Sequence, residues 1–387
     1  MRGSSAGLAV FLMVVLGCGS SSDRIGAGTY SVGEADIQVI HPDLEFTGVR
    51  DLVLADAGLW VLDGAEPYLT RAPLTDGSPT QFGKHGQGPG EFRNPWSIQP
   101  VTDSDDPAID VWDLGNGRVS RFGTQGDYLG SEPVGGQNWM RVRGNIREVS
   151  YVDPFRVRKS GEGFVSAYFS RRVDRTPDLA GGVLRSVGRR LQPRSEMARF
   201  KDHVPKTSSS LREWAPMPLW DACDGMVVLW SPATGSLLWL DSQGGVHAET
   251  PVQAPVRAIG LEDIMTYLRR MARLELGPEF EAAGIDFRGF ARQARDRFAE
   301  EAPSATDIRC ETKSTVWLQL FDTSHDSTGK SQTWIQISRS GSSRRFTFPN
   351  SFTPSVFSSE GVFGLSEGAE GVQRLSRWRA PHAFGIR

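Results

Sequence analysis

The chain has few of the residues from which metal clusters and disulfide scaffolds are built. Its 387 residues include three cysteines and six histidines. The histidines are scattered along the chain: His41, His85, His203, His247, His325 and His382. Metal sites bring their ligands together at characteristic short spacings, and none of these histidines forms such a pair. We therefore expect no bound metal and no cofactor.

Three other signals are missing. No Gly-x-Ser-x-Gly elbow lies between a strand and a helix, which argues against a serine hydrolase. The net charge of −3 argues against nucleic acid as a partner. Beyond the first residues, no apolar run approaches the roughly 18 residues needed to cross a bilayer. We therefore expect a domain that folds outside the membrane.

The N-terminus carries an export signal. Arg2 is followed by the apolar run Leu8–Leu16 and then by Gly17 and Cys18. Val15-Leu16-Gly17-Cys18 resembles the lipobox of bacterial lipoproteins, which implies that Cys18 is acylated and becomes the first mature residue. The alternative is an ordinary signal peptide cleaved after Cys18. We predict a signal peptide over residues 1–17 and a flexible tether over 18–34. Gly19 is typical of sorting to the outer rather than the inner membrane.

The rest of the chain predicts an all-β fold. It is rich in Gly, Pro and Trp, with short apolar runs separated by turn residues. A strand–turn–strand unit, clearest over residues 107–130, recurs with its first clear strand near residues 59, 109, 164, 226, 316 and 362. Most steps are about 50 to 60 residues, the length of one four-stranded blade. We predict a six-bladed β-propeller over residues 35–387; the alternative is a pair of β-sandwiches.

Two departures from the repeat have structural meaning. Over about 261–301 the apolar period changes from two to three or four, which predicts a two-helix insertion between blades 4 and 5. Its second helix should begin after Asp286, with Phe287, Phe290, Ala294 and Phe298 on its apolar stripe. The last unit is one strand short. The segment 35–40 should supply that strand and close the ring, which removes an exposed sheet edge.

Two segments resemble a known family. Gly83–Phe92, with its Gly-Pro-Gly-Glu-Phe end, and Val111–Val119 are similar to the NHL-like repeats of exported bacterial six-bladed propeller lipoproteins. The likeness spans roughly residues 35–380. It implies the propeller fold and no activity, because these relatives have no established one. Propeller enzymes of similar fold place a metal at the axis, but the ligand spacing of the lactonase-like ones is not matched here.

Most of the polar motifs have a structural interpretation. Gly86, Gly88 and Gly90 are not followed by a helix, so we interpret them as an inter-blade turn rather than a phosphate site. Asp113 and Asn116 should shape a turn, with Arg118 paired to Asp113 across it. The segment 171–212 has 11 Lys or Arg against 4 Asp or Glu. We interpret it as a solvated insertion in the third blade; a patch for anionic lipid head groups is the alternative.

Cys223 and Cys310 remain after the signal is removed. Cys223 precedes the marker strand of blade 4, and Cys310 precedes that of blade 5. Cysteines of exported proteins tend to form disulfides. A disulfide and two buried free thiols are equally consistent with these positions.

We expect a monomeric, lipid-anchored propeller of the cell envelope that binds a protein or glycan without catalysis. The alternative is a metal-dependent hydrolase or lyase with a site at the propeller axis. Loops on a rigid scaffold are common binding sites, and Trp and Arg are typical anchors. The predicted binding face contains Arg93, Trp96, Trp139 and Arg141, with the helices beside or over the propeller axis. The alternative for both Trp residues is packing between blades.

Overall fold

The computed structural model describes most of the chain. It covers residues 29–379 except 76, 102–106, 135–139, 144–147, 161–162, 173–180, 206–211, 224, 277–283, 322–330 and 369–370. The predicted signal peptide, Cys18 and Trp139 therefore lie outside the described residues. Within them, neither helix has the length and apolarity needed to cross a bilayer.

The sheets form a six-bladed β-propeller, as predicted, and the β-sandwich alternative is wrong. Two short strands precede the blades: β1 (Thr29–Ser31) and β2 (Ile37–Val39). Blade 1 contains β3 (Val49–Ala55), β4 (Gly58–Asp63), β5 (Leu69–Pro73) and β6 (Thr80–Phe82). The link that follows contains β7 (Lys84–His85) and β8 (Glu91–Phe92). Blade 2 contains β9 (Pro95–Val101), β10 (Ala108–Asp113), β11 (Arg118–Gly123) and β12 (Tyr128–Pro133).

Blades 3 and 4 complete the first part of the ring. Blade 3 contains β13 (Met140–Arg143), β14 (Glu148–Ser160), β15 (Gly163–Arg172), β16 (Val183–Val187) and β17 (Pro193–Arg199). Blade 4 contains β18 (Leu219–Cys223), β19 (Met226–Ser231), β20 (Ser236–Leu240) and β21 (Val246–Pro251). The helices α1 (Leu261–Leu276) and α2 (Phe287–Ala294) follow blade 4.

Blades 5 and 6 complete the ring. Blade 5 contains β22 (Ala305–Thr312), β23 (Thr315–Leu320), β24 (Ser331–Ser338) and β25 (Ser343–Pro349). Blade 6 contains β26 (Phe352–Ser358), β27 (Gly361–Glu367) and β28 (Gln373–Trp378). The marker strands of the sequence repeat are the second strands of the blades, or β15 in blade 3.

Apolar clusters between neighbouring blades hold the ring together. Every residue of β4 and β10 is buried, because adjacent blades cover both faces of these strands. Trp60 packs between blades 1 and 2, and Trp112 between blades 2 and 3. Similar clusters fill the four remaining seams of the ring.

The innermost strands enclose the propeller axis. They are β3, β9, β14, β18, β22 and β26, and each contacts the next around the ring. The antiparallel order gives the propeller two different faces. The link face carries the connections between blades, including the helical pair. The turn face carries the short turns between first and second strands and between third and fourth strands.

The N-terminal segment closes the ring, as predicted. β2 pairs antiparallel with β28, with Ile37 opposite Trp378, and becomes the outermost strand of blade 6. The predicted tether 18–34 is too long at its C-terminal end. Residues 29–31 form β1, which pairs parallel with β25 and adds a fifth strand to blade 5. Tyr30 stacks on Phe346 and Val32 is buried, so apolar side chains hold this segment on the blade.

The helical pair lies between blades 4 and 5, as predicted. Asp286 caps α2 by accepting a hydrogen bond from the Gly289 amide. The pair packs on its own apolar cluster, which includes Ile264, Ala291 and Phe298. Phe290 was wrongly placed on the buried stripe. Its side chain is 55% exposed, because the buried face follows positions 287, 291, 294 and 298.

The described part of the basic segment 171–212 belongs to blade 3 and is not an insertion in it. Its described residues include β16 and β17, which are the two outer strands of blade 3. Two of its arginines form ion pairs with blade 2. Arg189 contacts both oxygens of the fully buried Asp110, with distances of 2.8 and 2.9 Å, and Arg190 lies 2.8 Å from Glu132. The charges of these two arginines are therefore neutralised between blades.

Candidate functional site

The axis of the propeller is occupied by a buried arginine. Arg158 lies on β14, and its side chain is 11% exposed. Its Nη1 lies 3.3 Å from Oδ2 of Asp51 on β3, and its Nε lies 3.2 Å from Oδ1 of Asp221 on β18. Arg158 belongs to blade 3 and Asp51 to blade 1, and blade 2 lies between these blades in the ring. The guanidinium therefore joins two inner strands that are not neighbours.

Both carboxylates also bind the backbone of the following blade. Asp51 Oδ2 accepts hydrogen bonds from the hydroxyl of Ser97 and the amide of Ile98, at 3.0 and 3.1 Å. Asp221 Oδ2 accepts one from the amide of Cys310 at 2.8 Å. Through Arg158 and these two aspartates, polar contacts at the axis connect the inner strands of blades 1 to 5.

The electrostatic balance at the axis keeps Arg158 charged. Burial by itself lowers the pKa of this guanidinium. The attraction of Asp51 and Asp221, with a contribution from Asp307, outweighs burial and raises the pKa of Arg158 above its ordinary value. Asp307 lies on β22 and pairs with Arg309 at 2.8 Å. The arrangement is a set of matched charges rather than a vacant cluster of carboxylates.

This geometry does not resemble that of a metal centre. A hard cation needs several oxygen ligands directed at one point, whereas Asp51 and Asp221 point at a guanidinium and at backbone amides. Among the described residues, no group of three or more His, Cys, Asp or Glu side chains is placed to hold a metal ion.

The four described histidines are spread over the ring. His41 contacts the carbonyl of Pro73, His85 contacts Tyr68, and His203 contacts Ser231. His247 lies 3.5 Å from Asp241. Burial lowers the pKa of His203, partly opposed by Asp202. His325 and His382 lie outside the described residues.

Cys223 and Cys310 are joined in a disulfide near the axis. Their Cα atoms are 5.6 Å apart, within the range that a disulfide spans. Each residue lies on the inner strand of its blade, and the bridge therefore links blades 4 and 5. The Cys310 amide is also the donor to Asp221, so the bridge and the ion pair of Arg158 adjoin.

The residues predicted as a binding face occupy different environments. Arg93 is exposed on the link face, and its amide donates to Asp113. Trp96 is the second residue of β9 and is half-buried, with the guanidinium of Arg50 4.7 Å above its ring. This contact joins blades 1 and 2. Arg141 lies on β13, where only the backbone is described.

The glycine-rich link between blades 1 and 2 is a structural turn. Glu91 accepts a hydrogen bond from the Gly88 amide, and this bond, with Lys84, lowers the pKa of Glu91. The predicted pairing of Arg118 with Asp113 is wrong. Arg118 instead donates to the carbonyls of Gln87, Gly88 and Glu91 in this link.

Asp113 and Asp63 have equivalent roles at the ends of β10 and β4. Asp113 accepts from the amides of Arg93 and Asn94, and Asp63 from those of Thr47 and Gly48. Each carboxylate thereby holds the link that leads into its own blade. Asp63 and Asp113 lie at the same distance from the start of their marker strands, and this equal spacing was visible in the sequence. It marks a structural position rather than a functional one.

The axial residues were missed because no spacing is common to all three of their sequence positions. They lie in three different blades: Asp51 is seven residues before the start of β4, whereas Arg158 and Asp221 are each five residues before the start of β15 and β19. The one available signal was the presence of charged residues in otherwise apolar strands, and it does not identify which residues pair with each other.

Comparisons with known proteins show no family for this chain. No family model matches the chain, and neither does any curated protein. A predicted exported protein of Bacteroides fragilis has 10% identity and a TM-score of 0.49, with 91% of this chain and 99% of that chain covered. A member of the DUF4221 family from Bacteroides vulgatus has 10% identity and a TM-score of 0.46, with coverage of 88% and 95%.

A third solved structure belongs to an enzyme. Catalytically inactive virginiamycin B lyase from Staphylococcus aureus has 9% identity and a TM-score of 0.42, with coverage of 88% and 98%. The low identities and TM-scores carry no function from these proteins to this chain.

Proposed function

We propose that the chain is a lipid-anchored propeller of the bacterial cell envelope and a non-catalytic binding or scaffold module for a protein or a glycan. Acylation of Cys18, the outer membrane and a monomeric state are parts of this proposal. The observation that carries the non-catalytic part is the position of Arg158. Its guanidinium stands between Asp51 and Asp221 at the axis, where the metal-dependent alternative would need carboxylates directed at a cation.

The link face is the proposed recognition surface. It carries the helical pair and the exposed Arg93, and the predicted Trp139 and Arg141 belong to the segment leading into blade 3. Of the two predicted anchors with described side chains, Arg93 is available to a ligand, whereas Trp96 is covered by Arg50. An exposed guanidinium suits a partner that presents carboxylates or phosphates.

Metal analysis of the purified protein distinguishes this proposal from the metal-dependent hydrolase or lyase. Protein carrying Cys18→Ser is incubated with calcium and zinc, dialysed, and its metal content measured. We expect no stoichiometric metal, because the axial carboxylates bind Arg158. A stoichiometric metal that is lost on Asp51→Asn, but retained in the exposed control Asp241→Asn, would favour the enzyme.

A further inference from the structure

The chain enters the propeller at one edge of the turn face. β1 runs parallel to β25, and Thr29 lies opposite Arg345, two residues after the start of that strand. β25 begins directly after the short turn 339–342, which belongs to the turn face. Thr29 therefore lies at the rim of blade 5, on the side away from the helical pair.

Exposed basic side chains surround this entry point. We call Lys313, Arg339, Arg345 and Arg379 the basic edge; all four are exposed. The Arg339 amide donates to the Ser314 carbonyl, so the turns that carry Lys313 and Arg339 adjoin. Arg345 lies beside β1.

Arg379 adjoins the same strand. Together with Tyr30 and Ser31 of β1 it lines a cavity of about 250 Å³ at the seam between blades 5 and 6.

The local charge is positive in excess. The acidic residues at this part of the rim include Asp36, which accepts the Gly33 amide, Glu311, which accepts from Trp317 and Gln336, and Glu360, which lies 3.8 Å from Arg377. Within the described part of the chain, no ion pair involves a member of the basic edge. Burial lowers the pKa of Arg377, and the charge of Arg379 lowers it further against the opposing effect of Glu360. This direction agrees with an excess of positive charge beside β1.

We propose that the basic edge lies against the anionic phospholipid head groups of the membrane to which Cys18 is anchored. The inference rests on the proposed lipid anchor. Eleven residue steps separate Cys18 from Thr29, a span of at most about 40 Å, so acylation holds the rim of blade 5 near the bilayer. In that orientation the link face and its helices point away from the membrane.

Vesicle binding by protein without the lipid tests the proposal. Protein carrying Cys18→Ser is sedimented with vesicles of phosphatidylcholine, with or without phosphatidylglycerol. We expect binding only to the anionic vesicles, and weaker binding as salt is raised. A basic residue near such a surface contributes about a fivefold change in partitioning. Neutralising two residues as Arg345→Gln with Arg379→Gln should therefore reduce binding about 25-fold, and Arg345→Glu with Arg379→Glu should reduce it further.

A matched control changes the same charge elsewhere. Arg288 and Arg292 are exposed on α2 of the link face, so Arg288→Glu with Arg292→Glu should leave vesicle binding unchanged. Equal binding by the edge variants and the unaltered protein, equal loss in the control, or equal binding to uncharged vesicles would overturn the proposal. With Cys18 intact, the edge variants should still fractionate with membranes, which separates this result from failure of the anchor.

Discussion

Arg158 is the residue at which inner strands from three blades converge. Its position between Asp51 and Asp221 means that each charge at the axis depends on the others. Burying a charge is costly, and the cost is offset only when the partner and the remaining hydrogen bonds are present. The ion pairs therefore specify how the inner strands meet.

Replacement of Arg158 should be strongly destabilising. Arg158→Met leaves two buried carboxylates without their cation, and we expect a loss of about 3 to 5 kcal/mol in the free energy of unfolding. Denaturant unfolding followed by circular dichroism measures the change. As a control, Arg190→Met removes an exposed ion pair with Glu132 and should cost less than about 1 kcal/mol. Equal effects of the two substitutions would contradict the role given to Arg158.

At the scale of elements, the ring depends on strands that come from the N-terminus. β2 covers the open edge of β28, and β1 extends blade 5. An uncovered edge would expose backbone donors and acceptors and would break the continuity between the last blade and the first part of the chain.

Removal of the closing strands should destabilise the propeller. Deletion of residues 1–39 removes both strands and their apolar contacts, whereas deletion of residues 1–28 keeps them. We expect the longer deletion to lower stability by at least about 3 kcal/mol, from lost hydrogen bonds and burial. Hydrogen exchange should become faster in β28. Equal protection of β28 in the two proteins would show that β2 does not close the ring.

The disulfide between blades 4 and 5 should stabilise the chain mainly by limiting its unfolded state. With a sequence separation of 87 residues, its loss should cost about 4.5 kcal/mol in the chain-entropy model. The double substitution Cys223→Ala with Cys310→Ala measures this by denaturant unfolding. Thiol titration of unreduced, denatured Cys18→Ser protein should detect no reactive thiol. Two thiols per chain would exclude the bridge.

The sequence repeats predicted the strands and helices of the fold better than they predicted the contacts that these elements make. The marker strands, the helical insertion and the closing strand followed from apolar period and from the count of strands. Phe290 was misplaced because a short helix leaves its rotation on the core uncertain. β1 was assigned to the tether because Thr29–Ser31 is polar at two of its three positions, and its pairing depends on a strand more than 300 residues away.

The axial site could not be predicted for a similar reason. Asp51 and Arg158 carry no local motif, and their contact arises from the closure of the ring. By contrast, the turn residues Asp113 and Asn116 act locally, and their structural role was predicted from the residues around them.

At the scale of the whole molecule, the two faces have different surroundings. The link face carries the helical pair and the exposed Arg93, while the N-terminal connection enters at the rim of the turn face. A lipid at Cys18 would place the link face towards soluble partners. This division of faces is what connects the fold to a role as an anchored binding module.

The most direct test of the account is membrane fractionation of the full-length chain and its Cys18→Ser variant. The matched control is the double substitution Cys223→Ala with Cys310→Ala, which removes the other two cysteines and retains Cys18. We predict that the unaltered chain and this control sediment with membranes, and that Cys18→Ser is found in the soluble fraction. Membrane association of the Cys18→Ser variant equal to that of the unaltered chain would contradict the account.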